Sequence, residues 1–345
     1  MTGKPMHAVL IGLGMVADLH ATAIAATDGE VRLAAVYGRN PERARAFANR
    51  HGGPRVMTSL DEIVADRTLD FAILATPPDA RAPYITTFAR RGLPVLTEKP
   101  LARTVGEARA LVETCEAAGL PLGALLQHRM RPAALALQDR LAQGELGEIA
   151  TVELRVPWWR DQSYYDTPGR GTRARDGGGV LITQAIHSLD LMLQFCGPVA
   201  DVQAVTATSP LHRMEAEDFT AAALRFRSGA VGSVMASVTH YPGGAEEIIL
   251  NGSAGSAYLA ANRLLIHRHG YPAEEIGALS GTGGGADPMA FSHDWHRAVI
   301  ADFAEALRNG RQPAITGRSA LPVQALIAAI ERSARTGQRQ EVVDG

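Results

Sequence analysis

Residues 176–193, DGGGVLITQAIHSLDLML, open with three glycines and continue as an apolar run. Past the glycines its only ionisable side chains are His187 and Asp190. A lone histidine in an apolar helix is ordinarily a satisfied core residue, but two features point to chemistry. The glycines let a ligand come close to the backbone, and spacing by three and four puts Thr183, His187 and Asp190 on one helical face. An imidazole titrates near neutrality, so His187 can take or give a proton. Asp190 can orient that ring or make a structural hydrogen bond. Lys99, in LPVLTEKP, ends a strand-like run and brings a cation, although a lysine at a strand end is ordinarily solvated. A proton carrier and a cation are what oxidation of a secondary alcohol needs. As hydride leaves, the hydroxyl proton is removed and the developing alkoxide is stabilised.

A hydride acceptor has its own signal. VLIGLGMVADLH reads G-x-G-x-x-A through Gly12, Gly14 and Ala17. Gly12 permits a tight turn, and Gly14 lets a pyrophosphate approach the amides of the helix start, where Met15 and Val16 follow. Ala17 lets the helix lie close to the sheet. Alone the pattern is weak, because a ligand-free βα turn can look the same. The second strand ends in VYGRNPERA, without the acidic residue that would bind a ribose 2′-hydroxyl. Gly38 leaves room there, Arg39 offers a planar cation suited to phosphate, and Asn40 follows. This tilts the cofactor slightly toward NADP(H) over NAD(H); the alternative is an Arg39 that stacks on adenine or is solvated. Thr76, Pro77, Glu98, Lys99 and Gln127 follow further strands and should fall on the same edge.

The elements that must position these residues are legible from periodicity. HAVLIGLG, VRLAAVYG, DFAILATPP, LPVLTEKP and LPLGALLQH read as near-continuous apolar strands. Amphipathic helical segments lie between them, several closed by glycine. Such alternation implies a parallel sheet covered on both faces. After residue 128 the pattern changes. IATVELRVPWW reads as a strand, and residues 199–268 read as an antiparallel meander with turns at Ser228-Gly229 and Asn251-Gly252. GALSGTGGGADP reads as a mobile surface loop, and two helices close the chain. The expected domains are 1–128 and 129–345, with the closing helices able to pack back on the first.

Taken in order, GLGMVADLH, ATPPDA, TEKPLA, QHRMRP, DGGGVLITQAIHSLD and HDWHRAVIADF resemble one family. It is the glucose-fructose oxidoreductase, inositol dehydrogenase and rhizopine-catabolism (Gfo/Idh/MocA) family, and the likeness runs through essentially the whole chain. The resemblance implies an α/β protein: an N-terminal Rossmann doubly wound parallel sheet, then a C-terminal α/β domain with a large, mostly antiparallel open sheet. It implies homo-oligomers built through that sheet, and NAD(P)-linked redox chemistry on sugars, cyclitols or their acids. It also gives Lys99 and His187 the catalytic roles. One departure matters. Many members carry an aspartate four residues before the histidine, where this chain has Thr183. Threonine cannot act as a base at neutral pH, so Lys99 and His187 must carry the proton traffic, with Thr183 or Gln184 binding substrate. Members acting on nucleotide-linked sugar acids often have an amide at this point.

WWRDQSYYDTPGRGTRARD is the segment best suited to choose a substrate. Trp158, Trp159, Tyr164 and Tyr165 offer aromatic faces for a sugar ring or a nicotinamide. Arg160, Arg170, Arg173 and Arg175 offer forks for carboxylate or phosphate, so an anionic carbohydrate is favoured; the plain alternative is a solvated loop. From this and the reactive helix, Trp159, Arg160, Tyr165, Arg173, Thr183, Gln184 and Asp190 are the expected substrate contacts. In QHRMRP, Gln127 and Arg129 line the site or link the domains. The two histidines of HDWH, His293 and His296, lack the partner set of a metal site, so no metal is expected, and His20 and His128 read as structural. Net charge is −2 over 345 residues, which gives no basic field for nucleic acid or an anionic membrane. No apolar run has membrane-spanning length. Two cysteines suit a reducing cytoplasm. The other readings are a glycoside hydrolase using NAD transiently, a non-catalytic cofactor sensor, and a dehydrogenase of dihydrodiols or biliverdin-like substrates. Retention of Lys99 and His187 argues against the sensor, and the arginine-rich segment against the last.

Overall fold

The computed structural model describes residues 4–281, 283–285 and 287–343. Thr282 and Ala286 of the expected surface loop lie outside the described residues. The chain divides into two compact units. The first comprises residues up to Ala102, Gly106–Gln127 and His293–Ala320; the second comprises Arg103–Val105, His128–Ser292 and residues from Leu321 on.

In the first unit, strands β1 (Met6–Ile11), β2 (Val31–Tyr37), β3 (Arg55–Met57), β4 (Phe71–Leu74), β5 (Val95–Glu98) and β6 (Leu122–Leu125) form one sheet in the order β3-β2-β1-β4-β5-β6. All its pairs are parallel. Helices α1 (Ala17–Ala25), α2 (Pro41–Arg50), α3 (Leu60–Ala65), α4 (Arg81–Arg91) and α5 (Val105–Ala117) join the strands. Val9, Leu10, Ile11, Phe71, Ile73 and Leu74 are fully buried, as a strand covered on both faces requires. Local chemistry sets the helix ends. The Asn40 side chain accepts from Glu42 N and Arg43 N at the start of α2, and Gly92 closes α4 with φ 77°. The helix Asp294–Asn309 belongs to this unit and sets Phe303 against Phe71, ring centroids 5.4 Å apart. The short edge strand β3 was not legible, since three residues carry no periodicity.

The second unit contains α6 (Pro132–Ala142), β7 (Ile149–Pro157), the single turn α7 (Gln162–Tyr165) and α8 (Ile186–Cys196). Strands β8 (Val199–Ala207), β9 (Phe219–Phe226), β10 (Val231–Ser237), β11 (Glu247–Gly252), β12 (Gly255–Ala260), β13 (Arg263–Arg268) and β14 (Glu274–Gly277) follow. Last come the helix Leu321–Thr336 and β15 (Gln340–Glu341). The strands make one nine-stranded sheet, β14-β13-β12-β11-β7-β10-β9-β8-β15, antiparallel except between β7 and β10. Val152, Leu154 and Val156 of β7 are buried, while Glu153 alternates with them onto the other, open face. Val205 of β8 and Val231 of β10 are also exposed.

Two details differ from the sequence reading. Asn251 and Gly252 do not form the turn; they lie in β11, where the register slips between them, and the chain reverses at Ser253-Ala254. A side chain on Gly252 would collide with the carbonyl of Leu146, and Ala254 N donates to that same oxygen. The glycine is there for close approach. The opening helix is also not uniform: Leu181–Ala185 is wound as a π-helix before α8 begins. Thr183 and His187 are therefore not one continuous α-turn apart. Such π insertions are frequent at functional sites. Both cysteines are free thiols, and burial pushes them up to about 11 and about 12. Among the described residues no helix is long and apolar enough to cross a membrane.

Candidate active site

In the first unit, parallel pairing delivers Gly12, Gly38, Thr76, Lys99 and Gln127 to one edge, each just beyond its strand. Gly12 is required twice over. Its φ is +95°, and a Cβ there would stand 2.8 Å from Thr76 N. Gly14 has open space where a Cβ would be. Met15 is exposed and Val16 precedes α1 with no side-chain cap, so the amides of the first turn are open to an anion. Arg39 is exposed beyond Gly38. Asn40 instead caps α2. Thr76 Oγ1 and Gln127 Oε1 are buried with no hydrogen-bond partner among the described residues. Buried polar atoms are rarely left this way, and both lie on the edge where a dinucleotide would rest. The residues fit that cofactor.

Glu98 and Lys99 are held from below. Arg81, fully buried, donates from Nε and Nη2 to Thr76 O at 3.1 and 2.8 Å and from Nη1 to Leu101 O at 3.4 Å. Nη1 also donates to the carbonyls of Glu98 and Pro100. Burial lowers this guanidinium to about 10, which leaves it a cation at neutral pH. One side chain thus ties the Thr76 loop to the Lys99–Pro100 turn, whose peptide bond is cis. The Glu98 carboxylate meets His20 Nε2 at 2.9 Å and His296 Nε2 at 3.7 Å. Burial works against its charge, but the hydrogen bonds from the two imidazoles prevail and hold it well below the ordinary carboxylate range. His293, the other histidine of HDWH, is not part of this cluster; its near neighbour is Asp294 at 4.0 Å.

In the second unit His187 is buried on α8, its ring stacked on His128 with centroids 4.3 Å apart and planes 23° apart. Both oxygens of Asp190 accept from Arg129, Nε to Oδ2 at 2.7 Å and Nη2 to Oδ1 at 2.5 Å. Burial raises the Asp190 carboxyl, opposed by Arg129. Of the two roles open to Asp190, the structural hydrogen bond, accepted from Arg129, is the one observed. Arg160 also differs from its expected substrate role. Its guanidinium donates to Trp159 O, Gly285 O and Gly283 O at 2.6, 2.8 and 2.6 Å, so the fork ties down backbone. Arg129, for which lining the site and a structural link were both open, is held by Asp190 61 positions away, and the glycines that hold Arg160 lie 123 and 125 positions away. Thr183 donates to Gly179 O at 2.6 Å and meets the Gln184 amide oxygen. Trp159 packs edge-on to Tyr241 at 5.4 Å. Tyr165 is buried with its hydroxyl unpartnered among the described residues. Arg173 is half-exposed and meets Glu331 at 3.0 Å, and Arg170 lies over the Tyr164 ring at 4.2 Å.

Sequence reading missed Glu217. Its carboxylate accepts from Gly179 N at 3.2 Å and Leu181 N at 3.1 Å, capping the segment that carries Thr183 and His187. A Cβ on Gly179 would overlap the Glu217 backbone, so the last glycine of the triplet serves this contact. Burial, reinforced by Glu331, pushes the Glu217 carboxyl up to about 7, above its ordinary 4.5. Folding therefore favours the protonated acid. That contribution is complete below the ordinary value and is lost as pH rises through about 7, a swing on the order of 3 kcal/mol. The unfolding midpoint of the wild type should fall between about pH 5 and about pH 8, and much less so in Glu217→Gln. Parallel curves in thermal denaturation would remove Glu217 as the source.

Comparison with known proteins agrees with this geometry. Residues 6–124 match the oxidoreductase family with an NAD-binding Rossmann fold, and residues 134–258 match the GFO/IDH/MocA C-terminal domain. The WlbA dehydrogenase of Bordetella pertussis, solved with NADH and UDP-GlcNAcA, is 30% identical with a TM-score of 0.86, covering 98% of this chain and 99% of that one. The 1,5-anhydro-D-fructose reductase of Ensifer adhaerens is 28% identical over 337 residues, 94% of each chain. The D-apiose dehydrogenase of Paraburkholderia graminis is 28% identical over 360 residues, covering 99% of this chain and 91% of that one. An open glycine turn on a parallel sheet, a lysine at the same edge and two matching domains across the chain lead to one conclusion: this chain belongs to the GFO/IDH/MocA family of NAD-binding oxidoreductases.

Proposed function

We propose that the chain is an NAD(P)-dependent dehydrogenase or reductase acting on a secondary alcohol or carbonyl of an anionic sugar or cyclitol, with Lys99 and His187 handling the proton. The observation that carries the reading is Lys99 at the same sheet edge as the Gly12 turn, fixed by Arg81 and next to an ionised Glu98. The nicotinamide, when bound, supplies or accepts the hydride. The Lys99 ammonium stabilises charge on the carbinol oxygen, and His187 takes the hydroxyl proton or returns it. Thr183 has no basic lone pair of use at neutral pH, so with Gln184 it binds substrate hydroxyls. Trp159, Tyr165 and Arg173 complete the substrate contacts, and Arg160 and Asp190 support from behind.

The anionic preference rests on Arg170, Arg173 and Arg175 in one short segment and on the relative solved with UDP-GlcNAcA. Arg39 without an acidic neighbour favours NADP(H), although that relative was solved with NADH. The open sheet face, with Val205 and Val231 exposed, is where a homo-oligomer would form. Two free thiols suit a reducing cytoplasm. The test is a screen of sugar acids, nucleotide-linked sugar acids, aldoses and inositols with NAD+ and NADP+, read as reduced-nicotinamide absorbance. Turnover of an acid with preference for NADP+ is expected. Arg39→Ala should raise KM for NADP+ about tenfold or more and for NAD+ by less than about twofold. Equal losses would end the Arg39 assignment, and silence across all four classes would end the functional reading.

A further inference from the structure

Behind His187 stands a file of buried groups of ordered charge. His128 lies flat on His187. Arg131 Nη2 is 2.5 Å from His128 Nε2. Arg131 Nη1 donates to Glu246 Oε1 and, at 3.2 Å, to Ala261 O. All four side chains are buried, Arg131 to 1% exposure. A guanidinium has donors only. His128 Nε2 must therefore accept, its proton stays on Nδ1, and the neighbouring cation opposes a second positive charge on the ring. Glu246 balances that cation, which lets Arg131 remain in the interior.

We propose that His128 is a positioning residue for proton transfer at His187: locked by Arg131 as the neutral Nδ1–H tautomer, it presents an uncharged face against which the His187 imidazolium can form. This rests on the reading of His187 as the proton carrier. Were His128 able to protonate, two imidazoliums would stand face to face at 4.3 Å, and the two rings would titrate as a coupled pair. Most other charged groups around α8 are committed elsewhere: Asp139 and Arg335 are exposed, Arg332 donates to Gln340 and to the Glu341 carbonyl, and Glu217 accepts from Gly179 N and Leu181 N. The elements packed on it are α6, β7, β11, the π turns and the helix Leu321–Thr336. Arg140 of α6 pairs with Glu145 and Glu274, Arg155 of β7 with Glu247 of β11, and Glu331 with Arg173. Glu153 lies on the open sheet face, and on α8 itself Asp190 is held by Arg129.

Imidazole NMR on histidine-labelled protein tests the proposal without reference to turnover. In the wild type, His128 should remain the neutral Nδ1–H form from about pH 5 to about pH 9 while His187 titrates alone. Arg131→Met/Glu246→Met removes both charges with side chains of similar length, an exchange that buried pairs often tolerate. In it both rings should titrate, with apparent midpoints separated by about one pH unit or more. Adding His128→Phe to that variant should abolish the second midpoint and restore a single one. His128 protonating in the wild type, or one unshifted midpoint in the double variant, would overturn the proposal. Normal turnover in His187→Ala would instead overturn the functional reading, and the NMR titration would still decide whether Arg131 locks His128.

Discussion

Lys99→Ala and His187→Ala each lower kcat by about 10²- to 10⁴-fold, while the Kd for the reduced dinucleotide stays within about threefold of wild type. The split follows from where the side chains act. A dinucleotide would be held chiefly through backbone at the glycine turn and through neighbouring strand ends, which neither substitution should disturb. On the proposed roles, the interactions lost would be those that strengthen only as charge develops on the carbinol oxygen and its proton departs. Removing both side chains should cost little more than removing one, because a proton relay lacking either member is already broken. Stopped-flow hydride transfer with fluorescence titration of the cofactor measures both quantities. Near-normal turnover in either variant would show that the proton travels another way.

Arg81→Met destabilises the protein by on the order of 3–5 kcal/mol and weakens dinucleotide binding as well. The substitution keeps the apolar stem but leaves the carbonyls of Thr76, Glu98, Pro100 and Leu101 without their shared donor. Each is a buried or half-buried acceptor of a charged hydrogen bond. Their loss frees two segments of the sheet edge at once, so stability and affinity fall together. Arg81→Lys retains the charge but not the fork and should recover only part of both, because an ammonium cannot span these acceptors. Chemical denaturation alongside cofactor titration checks it; a loss below about 1 kcal/mol in Arg81→Met would mean that the carbonyls find water instead.

Much of the architecture was legible because it is written in short-range terms. Near-continuous apolar runs between amphipathic helices specify a parallel sheet, and such a sheet places every strand end on one edge. That is why Gly12, Gly38, Thr76 and Lys99 could be assigned to a common edge without coordinates. Where local signals were thin or misleading, the reading faltered. The three residues of β3 have no period to detect, and Asn251-Gly252 has the composition of a turn but was drawn into β11 by its contact with Leu146. Arg160 and Asp190 illustrate the same limit at the site. Residue type says that a fork or a carboxylate is available, and only packing says which partner takes it.

By itself the sequence determined the class of fold, the glycine turn and the residues able to move a proton, since backbone sterics, periodicity and side-chain chemistry act over a few positions. Tertiary structure alone decided how those residues are held. Arg81 meets Glu98 across 17 positions, Arg129 meets Asp190 across 61 and Arg131 meets Glu246 across 115. Hydrogen bonds of such range leave no periodic trace along the chain, because the partner is chosen by which buried donor and acceptor the packed elements bring within 3 Å or so of each other.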